Sequence, residues 1–354
     1  MRRLALGLMS GTSLDGIDAA LVETDGRTIA RLGAWATQPY APHLRERLRA
    51  VLGGRGDVAG AERALTEAHA DAVASLLAEA GVAPSDVAVI GFHGHTVLHQ
   101  PEQRRTWQVG DGALLARLTG RPVVNDFRSN DVAAGGQGAP LVPLYHAALA
   151  AELARPLAVL NLGGVANVTF IGADGSLLAF DTGPGNAPID DWLRCRHGQA
   201  MDAGGALART GRIDAARVAA ALAHAYFDRR PPKSLDRDDF TAAMAGDLAA
   251  ADGAATLTEI TARAVAAAVR HFPAPPCRWL VAGGGRHNAA LMAALARNLG
   301  ATVEPVEAVG WRGDALEAEA FAFLAVRSLD ALPLSLPSTT GVPQPVLGGT
   351  LWQP

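Results

Sequence analysis

The chain has 354 residues, of which 49% are hydrophobic and 19% are charged, and its formal net charge is −4. This length and composition predict a globular protein of two domains, at roughly 150 residues per domain. The small net negative charge, without long runs of like charges, argues against nucleic acid and membranes as partners.

The first predicted elements are three strands joined by short turns. Apolar runs at 4–9, 17–22 and 28–36 predict an antiparallel meander. The turn between the first two runs is dense in Gly, Ser, Thr and Asp, so its tip presents backbone amides and hydroxyls to an anion. We expect Gly11 and Gly16 to allow close backbone approach and positive φ there.

Hydroxyls and carboxylates of the same turn predict a phosphate site with a metal. Ser10, Thr12 and Ser13 offer hydroxyl donors to phosphate oxygens. Asp15 and Asp18 are predicted to hold Mg²⁺ through water, since this ion usually takes one or two carboxylates plus phosphates. An ordinary tight hairpin is the alternative interpretation.

A helix and a short strand follow the meander. Periodic apolar residues predict a helix over 59–79 that ends at Gly81, and an apolar run predicts a strand over 87–92. His93, His95 and His99 would share one face only if that strand continued, and Gly94 and Thr96 suggest that it ends. A zinc site is therefore not favoured.

The strand meander is predicted a second time further along the chain. A glycine-rich stretch, 126–140, is typical of a loop at a domain boundary. Strands are then expected over 157–161, 165–171 and 177–180, with Gly163-Gly164 in the first turn.

Helices predominate in the remaining sequence. They are predicted over 186–196, 215–226, 238–250, 256–271, 288–298 and 313–329, and a strand over 279–282 leads into Gly283, Gly284 and Gly285.

Two scarce residue types bound the chemistry further. Lys233 is the only lysine and fits neither a Walker loop nor the protein-kinase pattern, so phosphate binding would depend on amides, hydroxyls, Arg and metal. Cys195 and Cys277 lack metal-binding spacing and are too few for a disulfide framework, which favours a cytoplasmic location.

Two glycine-tipped hairpins and a strand that enters a triple glycine resemble the phosphate and adenosine loops of the actin-like ATPase superfamily. Within it, several segments together resemble the anhydro-N-acetylmuramic acid kinase family over nearly the whole chain, namely 7–18, 93–94, 124–131, 161–167, 180–186 and 317–325. His95 departs from the pattern, because glutamine is expected most often at that position.

The resemblance implies an α/β, two-lobed actin-like (ribonuclease H-like) fold with mixed sheets, flanking helices and a central cleft. We expect lobe I at 1–137 plus 314–354 and lobe II at 138–313. It also implies a homodimer that opens the 1,6-anhydro ring of a muramic sugar with water and phosphorylates O6 from ATP with Mg²⁺. The alternatives are a related kinase or phosphatase for another small sugar or carboxylate, and a non-catalytic nucleotide switch.

Roles for individual residues follow from the resemblance and from side-chain chemistry. Asp181 corresponds to the catalytic base, and its alternative role is to cap the turn and the next helix. Arg128 suits the lactyl carboxylate of the sugar or a salt bridge with Asp126 or Asp131. Glu317 suits sugar hydroxyls or a solvated first helical turn. His95 and Thr96 are better candidates for sugar contacts than for a metal site. The expected ATP contacts are Gly11, Thr12, Ser13, Leu14, Asp15, Gly16, Ile17, Asp18, Gly163, Gly164, Gly183, Gly283, Gly284 and Gly285.

Overall fold

A computed structural model describes residues 1–11 and 14–354. Thr12 and Ser13 lie outside the described residues, so their predicted contacts with ATP stay predictions. The described chain forms two compact units: unit 1 comprises residues 1–151 and 315–354, and unit 2 comprises residues 152–314.

Strands and helices are numbered here along the chain. The strands are β1 (Arg3–Ser10), β2 (Gly16–Thr24), β3 (Ile29–Pro39), β4 (Val89–Gln100), β5 (Arg105–Val109), β6 (Val123–Asn125), β7 (Leu157–Leu162), β8 (Val165–Ile171), β9 (Leu177–Pro184), β10 (Arg278–Ala282), β11 (Thr302–Pro305) and β12 (Thr350–Trp352). The α-helices are α1 (Pro42–Ala50), α2 (Val58–Ala80), α3 (Gly112–Thr119), α4 (Ser129–Ala133), α5 (Pro143–Leu149), α6 (Ala187–His197), α7 (Ala215–Leu222), α8 (Ala250–Ala268), α9 (Ala289–Leu299), α10 (Leu316–Leu329) and α11 (Pro337–Thr340).

Each unit is built on one mixed sheet with the same internal arrangement. In unit 1 the order is β12-β6-β4-β1-β2-β3, with β5 paired to β4. Strands β1, β2 and β3 form an antiparallel meander, and β4 and β6 add parallel strands beside β1. In unit 2 the order is β11-β10-β7-β8-β9: β7, β8 and β9 form the meander, and β10 and β11 are parallel. The two predicted meanders are therefore confirmed.

Helices cover both sheets because their apolar residues need a buried partner. Helix α10 is buried on nearly all its sides, which suits a helix laid across a sheet. It packs on β1, β2 and β4 so closely that a Cβ at Gly7 would lie 1.8 Å from the carbonyl oxygen of Ala318. In unit 2, α8 and α9 cover the apolar side chains of β7, β8 and β10.

Helix α2 ends as predicted, and a side-chain contact that was not predicted caps its N-terminus. The Asp57 side chain accepts a hydrogen bond from the Gly60 amide at the N-terminus, and Gly81 ends the helix with φ of 62°. No helix in the described ranges combines the length and the apolar character needed to span a bilayer.

Several predicted boundaries are wrong. Strand β4 does not end near Gly94 but continues to Gln100, because β5 pairs with its second half. Strand β9 continues past residue 180 to Pro184. The helix predicted over 238–250 is replaced by two 3-10 turns, Arg237–Asp239 and Ala242–Ala245, and helix α8 begins only at Ala250.

Candidate functional site

The first glycine-rich turn connects β1 to β2 in unit 1. Leu14, and not Gly16, has a positive φ, 60°, so the expectation of positive φ at Gly16 is wrong. Close approach does require glycine at position 16, because a Cβ there would lie 2.5 Å from the Gln38 carbonyl oxygen. The side chains of Leu14 and Ile17 are buried in the core. These two residues therefore offer only backbone groups to a nucleotide.

Ser10, at the end of β1, serves a buried network and not the turn surface. Its hydroxyl accepts a hydrogen bond from Tyr40 at 2.6 Å and lies 3.0 Å from Nδ1 of His95. Ser10 is 1% exposed, and its predicted contact with phosphate stays a prediction. Burial lowers the pKa of His95 to about 4, so this imidazole is neutral at pH 7.

Two carboxylates flank the same turn. Asp15 is exposed, and Asp18 is half-buried on β2, where its carboxylate accepts a hydrogen bond from the Thr37 hydroxyl at 2.6 Å. Carboxylate oxygens near a phosphate loop are donors that Mg²⁺ accepts directly or through water. The predicted magnesium role of this pair stays a prediction.

Arg128 is held in place by a neutral histidine. Its Nε and Nη2 lie 3.1 and 3.0 Å from Nε2 of His93, and its Nη1 donates to the Gly138 carbonyl at 2.6 Å. Burial, and next the Arg128 charge, lowers the pKa of His93 well below its usual value. Asp131 accepts hydrogen bonds from the Gly138 amide and the Thr340 hydroxyl. The guanidinium is therefore oriented by its surroundings in advance of any ligand.

The remaining residues of unit 1 proposed to contact the sugar lie on β4 and α10. Thr96 is half-buried and accepts a hydrogen bond from Gln108, and Glu317 is half-buried in the first turn of α10. Their sugar contacts, and that of the buried His95, stay predictions. Within residues 1–11 and 14–354, no group of three or more His, Cys, Asp or Glu side chains is arranged to hold a metal ion.

In unit 2 the second glycine turn is fixed through its carbonyl groups. The amide of Asn186 donates to the Gly163 carbonyl at 2.7 Å, and the amide of Gly185 donates to the Gly164 carbonyl at 3.0 Å. The side-chain amide of Asn186 also donates to the Leu162 carbonyl at 3.0 Å. The segment before α6 thus sets the position of the hairpin tip.

The triple glycine after β10 packs against that tip. A Cβ at Gly283 would lie 2.7 Å from the carbonyl oxygen of Leu162, and one at Gly285 would lie 2.5 Å from the Leu162 side chain. Arg286 holds the loop: it is 7% exposed, donates to the Gly283 carbonyl at 3.0 Å and pairs with Glu307 and Asp314.

At three positions in these two loops the fold does not require glycine. A Cβ at Gly163 or Gly164 would make only ordinary contacts, at 3.5 and 3.6 Å, and one at Gly284 would meet nothing within 4 Å. None of the three has a positive φ. Since neither packing nor backbone conformation demands glycine, the small residue leaves space for something outside the chain, as in a loop where a ligand approaches the backbone.

A row of polar residues crosses the meander next to the second turn. Asn161 on β7 is paired with Asn167 on β8, and Asn167 is paired with Asp181 on β9. Directly opposed residues share a sheet face, so the row presents two amides and a carboxylate together. The register shifts beside this row, between Ala166 and Asn167, and such bulges often redirect a side chain next to a functional site.

Asp181 lies inside strand β9, which corrects the expectation that it ends the strand. It is 9% exposed, and its Oδ2 accepts a hydrogen bond from the Leu235 amide at 2.8 Å. Its own amide donates to the Lys233 carbonyl at 3.0 Å, and its carbonyl accepts from the Tyr226 hydroxyl. Gly183, two residues on, is required for packing because a Cβ there would lie 2.7 Å from the Ala264 side chain.

Sequence reasoning missed several of these residues. The sequence indicated Asn167 only as part of a segment that resembles the family. It used Lys233 only to exclude lysine-based phosphate loops. Arg286 follows the triple glycine directly, but nothing in the local pattern distinguishes a buried arginine from an exposed one. The contacts of Tyr226 and Leu235 with Asp181 join residues 45 and 54 positions apart, which no local pattern reveals.

Comparison with known proteins gives matches over the whole chain. The family model described as anhydro-N-acetylmuramic acid kinase matches residues 3–354. The protein of that name from Paramagnetospirillum magneticum is 62% identical over 350 residues, covering 98% of each chain. The one from Rhodospirillum rubrum is 61% identical over 354 residues, covering 98% of this chain and 94% of the relative.

A solved structure gives the fold independently. Component A of the (R)-2-hydroxyglutaryl-CoA dehydratase of Acidaminococcus fermentans aligns with a TM-score of 0.51 at 13% identity, covering 93% of this chain and 99% of that one. At this identity the likeness concerns the fold alone. The predicted class, mixed sheets flanked by helices in an actin-like ATPase fold, is confirmed.

Proposed function

Because the chain belongs to the anhydro-N-acetylmuramic acid kinase family, we propose that Asp181 is the base with which it opens its sugar substrate. The chain is an ATP-dependent kinase for 1,6-anhydro-N-acetylmuramic acid. It opens the anhydro ring with water and phosphorylates O6. Its products are N-acetylmuramic acid 6-phosphate and ADP, which places it in cell-wall amino-sugar recycling.

The reaction needs one carboxylate base and no separate acid. Asp181 takes a proton from water as the water oxygen bonds to C1, and the C1–O6 bond breaks with its electron pair on O6. An inverting glycosidase would protonate that leaving oxygen with a second carboxylic acid. Here O6 attacks the γ-phosphorus instead, the bond to the ADP oxygen breaks, and the proton on Asp181 passes to solvent. The position of Asp181 in the polar row, with one oxygen fixed by the Leu235 amide, carries this proposal.

The nucleotide is proposed to bind with its phosphates at the two glycine turns and its adenosine at the triple-glycine loop. In unit 2 the support is the space left at Gly163, Gly164 and Gly284, which a Cβ would fill. In unit 1 the support is the glycine-rich segment from Gly11 to Asp18. Residues 11 and 14–18 of this segment are described. Phosphoryl transfer depends on positioning and on charge neutralisation, and loop amides contribute to both.

Magnesium is proposed to be held by Asp15 and Asp18. One exposed and one half-buried carboxylate beside a phosphate loop fit an ion that keeps most of its water and takes few protein ligands. When bound, Mg²⁺ neutralises charge on the phosphates. Asp18 is held on β2 by Thr37, so its carboxylate needs little ordering on binding.

The sugar is proposed to be recognised by residues of unit 1. The lactyl carboxylate suits Arg128, whose guanidinium is already oriented by His93 and the Gly138 carbonyl. Glu317, His95 and Thr96 are proposed to contact sugar hydroxyls. We also propose a cytoplasmic homodimer, for which light scattering should give twice the chain mass.

The base assignment is tested by Asp181→Asn beside the control Asp190→Asn. Asp190 is another carboxylate of unit 2, half-buried in the first turn of α6, where burial raises its pKa to about 6. We expect Asp181→Asn to keep its fold and its ATP affinity and to lose turnover, while Asp190→Asn retains turnover. The opposite pattern would assign the base to Asp190.

Coupling of ring opening to phosphorylation is tested in ¹⁸O-labelled water. Wild-type protein with ATP, Mg²⁺ and the anhydro sugar is expected to give a 6-phosphosugar with the label at C1. Label on the phosphate with none at C1 would contradict the proposed bond changes.

A further inference from the structure

The only lysine of the chain is buried next to the proposed base. Lys233 is 7% exposed, and its ammonium donates to the carbonyls of Tyr226 and Phe227 at 3.1 and 3.4 Å. The same nitrogen lies 4.4 Å from the centre of the Tyr226 ring and 5.8 Å from that of Phe180. Carbonyl oxygens and aromatic faces are the groups that stabilise a cation away from water.

The backbone beside this ammonium contacts Asp181 at several atoms. The Lys233 carbonyl accepts from the Asp181 amide, and the Leu235 amide donates to Oδ2 of Asp181. The Tyr226 hydroxyl donates to the Asp181 carbonyl. Residues 226–235 therefore act on the backbone and on the carboxylate of Asp181, and the Lys233 ammonium ties the two ends of that segment to each other.

Burying the Lys233 ammonium costs free energy of desolvation, and a role in packing alone does not explain why a charged side chain lies here. Burial lowers the pKa of Lys233 to about 8, with Arg270 and Arg229 acting in the same direction and Asp228 opposing them. The side chain is thus still mainly protonated at pH 7. A methionine would fill the same space without desolvating a charge. What the ammonium adds is a set of directed hydrogen bonds to the turn that contains Tyr226.

We propose that Lys233 is a positioning residue for the carboxylate of Asp181. Its ammonium holds the 3-10 turn Ala225–Asp228 against segment 233–235, and these two elements orient the carboxylate for proton abstraction from water. The inference deepens the proposed function and rests on Asp181 being the base.

The test compares Lys233→Met with Arg327→Met. Arg327 is a matched control because it is also a buried cation that donates to two carbonyls, those of Pro333 and Gly26, and lies 5.6 Å from an aromatic ring, Phe323. It belongs to unit 1 and has no role in the proposed chemistry. Both variants are expected to melt at a lower temperature, since each loses a buried cation and its hydrogen bonds.

Only Lys233→Met is expected to change catalysis in the folded protein. Its kcat should fall by about 10²-fold, the effect of a small misplacement of a reacting group, with KM for ATP and sugar little changed. The acidic limb of the kcat profile should move to higher pH by about one unit, because weakening the Leu235 hydrogen bond destabilises the charged carboxylate. Arg327→Met should leave both kcat and this limb unchanged.

Two further variants keep the inference testable. Tyr226→Phe removes the hydroxyl that reaches the Asp181 carbonyl and should move kcat and the acidic limb in the same direction. If Lys233→Met does not fold, Lys233→Gln replaces it, with the same expected shift. Wild-type kcat and an unmoved acidic limb in a folded Lys233 variant would overturn the inference, provided that Asp181→Asn is inactive. An active Asp181→Asn would instead overturn the base assignment itself.

Discussion

The two meanders of this protein share one topology and differ in the residues at equivalent positions. One residue before the end of the first strand, the cross-strand row is Met9, Asp18 and Thr37 in unit 1. In unit 2 it is Asn161, Asn167 and Asp181. The carboxylate lies on the middle strand in one unit and on the third strand in the other. The same backbone frame therefore supports two proposed tasks, ion binding in unit 1 and proton abstraction in unit 2.

The largest effect should come from replacing the two carboxylates in turn. Asp181→Asn removes a general base, so kcat should fall by about 10²–10⁴-fold at unchanged ATP affinity. Asp18→Asn weakens metal binding by about tenfold, so its defect should appear in KM for MgATP and diminish when Mg²⁺ is raised. Steady-state kinetics at several Mg²⁺ concentrations distinguishes them. If added Mg²⁺ restored the activity of Asp181→Asn, both rows would be assigned to metal binding.

The glycine turns of the two units should also differ in how a Gly→Ala substitution affects ATP affinity and stability. Gly164→Ala puts a methyl group into space that the fold leaves open, so ATP affinity should fall by about tenfold or more while the free energy of unfolding changes by less than about 0.5 kcal/mol. Gly16→Ala meets the Gln38 carbonyl and should cost about 1–3 kcal/mol of stability. Calorimetric titration with an ATP analogue and thermal melts measure both. An unstable Gly164→Ala would assign that glycine to the fold.

A smaller effect is expected for substrate selection by unit 1. Arg128→Lys keeps the charge but loses the planar fork, so KM for the muramic substrate should rise by about tenfold with kcat nearly unchanged. The control substrate is 1,6-anhydro-N-acetylglucosamine, which lacks the lactyl group. The KM for this control sugar should be the same in wild type and variant. An equal rise in KM for both sugars would show that Arg128 does not recognise the lactyl carboxylate.

The two units are also expected to differ in acid sensitivity. Four buried imidazoles lie in unit 1: burial lowers the pKa of His69 and His95 to about 4, that of His146 to about 3, and that of His93 well below its usual value. Because the folded pKa values lie below the usual 6.5, the folded state binds fewer protons than the unfolded state. The stability that these groups contribute is complete above pH 6.5 and is lost as the pH falls toward 4.

Hydrogen exchange read by mass spectrometry locates this loss. Peptides of unit 1 should lose protection between pH 6.5 and 4, after correction for intrinsic rates, before those of unit 2. In unit 2, His271 is half-buried and not fully buried, and burial lowers its pKa. Earlier loss of protection in unit 2 would contradict the expectation that the buried imidazoles make unit 1 the more acid-sensitive unit.

Local patterns predicted the parts of the fold that depend on local chemistry. The meander strands and helix α2 follow from apolar periodicity and from the end signal at Gly81, whereas the base role of Asp181 follows from the family resemblance. The bulge beside Asn167 was not predictable, because it depends on pairing between β8 and β9. The 3-10 turns at 237–245 were misread as helix, since tertiary contacts there outweigh the helix propensity of alanine.

The contacts that orient the site were harder still to predict. Arg128 was expected to meet either a carboxylate or the substrate, and the structure also gives it a histidine 35 residues away. Lys233 is connected to Asp181 through the backbone of its own segment. Such contacts depend on side-chain placement in three dimensions, which a one-dimensional pattern does not encode.

The split of unit 1 into residues 1–151 and 315–354 has a consequence for biosynthesis. The ribosome makes strands β1 to β6 of the first sheet well before helix α10, which covers β1, β2 and β4. Unit 2 is continuous, so all of its residues are translated before α10. The nascent amino-terminal segment therefore keeps an apolar surface uncovered until α10 is made. Chaperones have most to protect at this stage of synthesis.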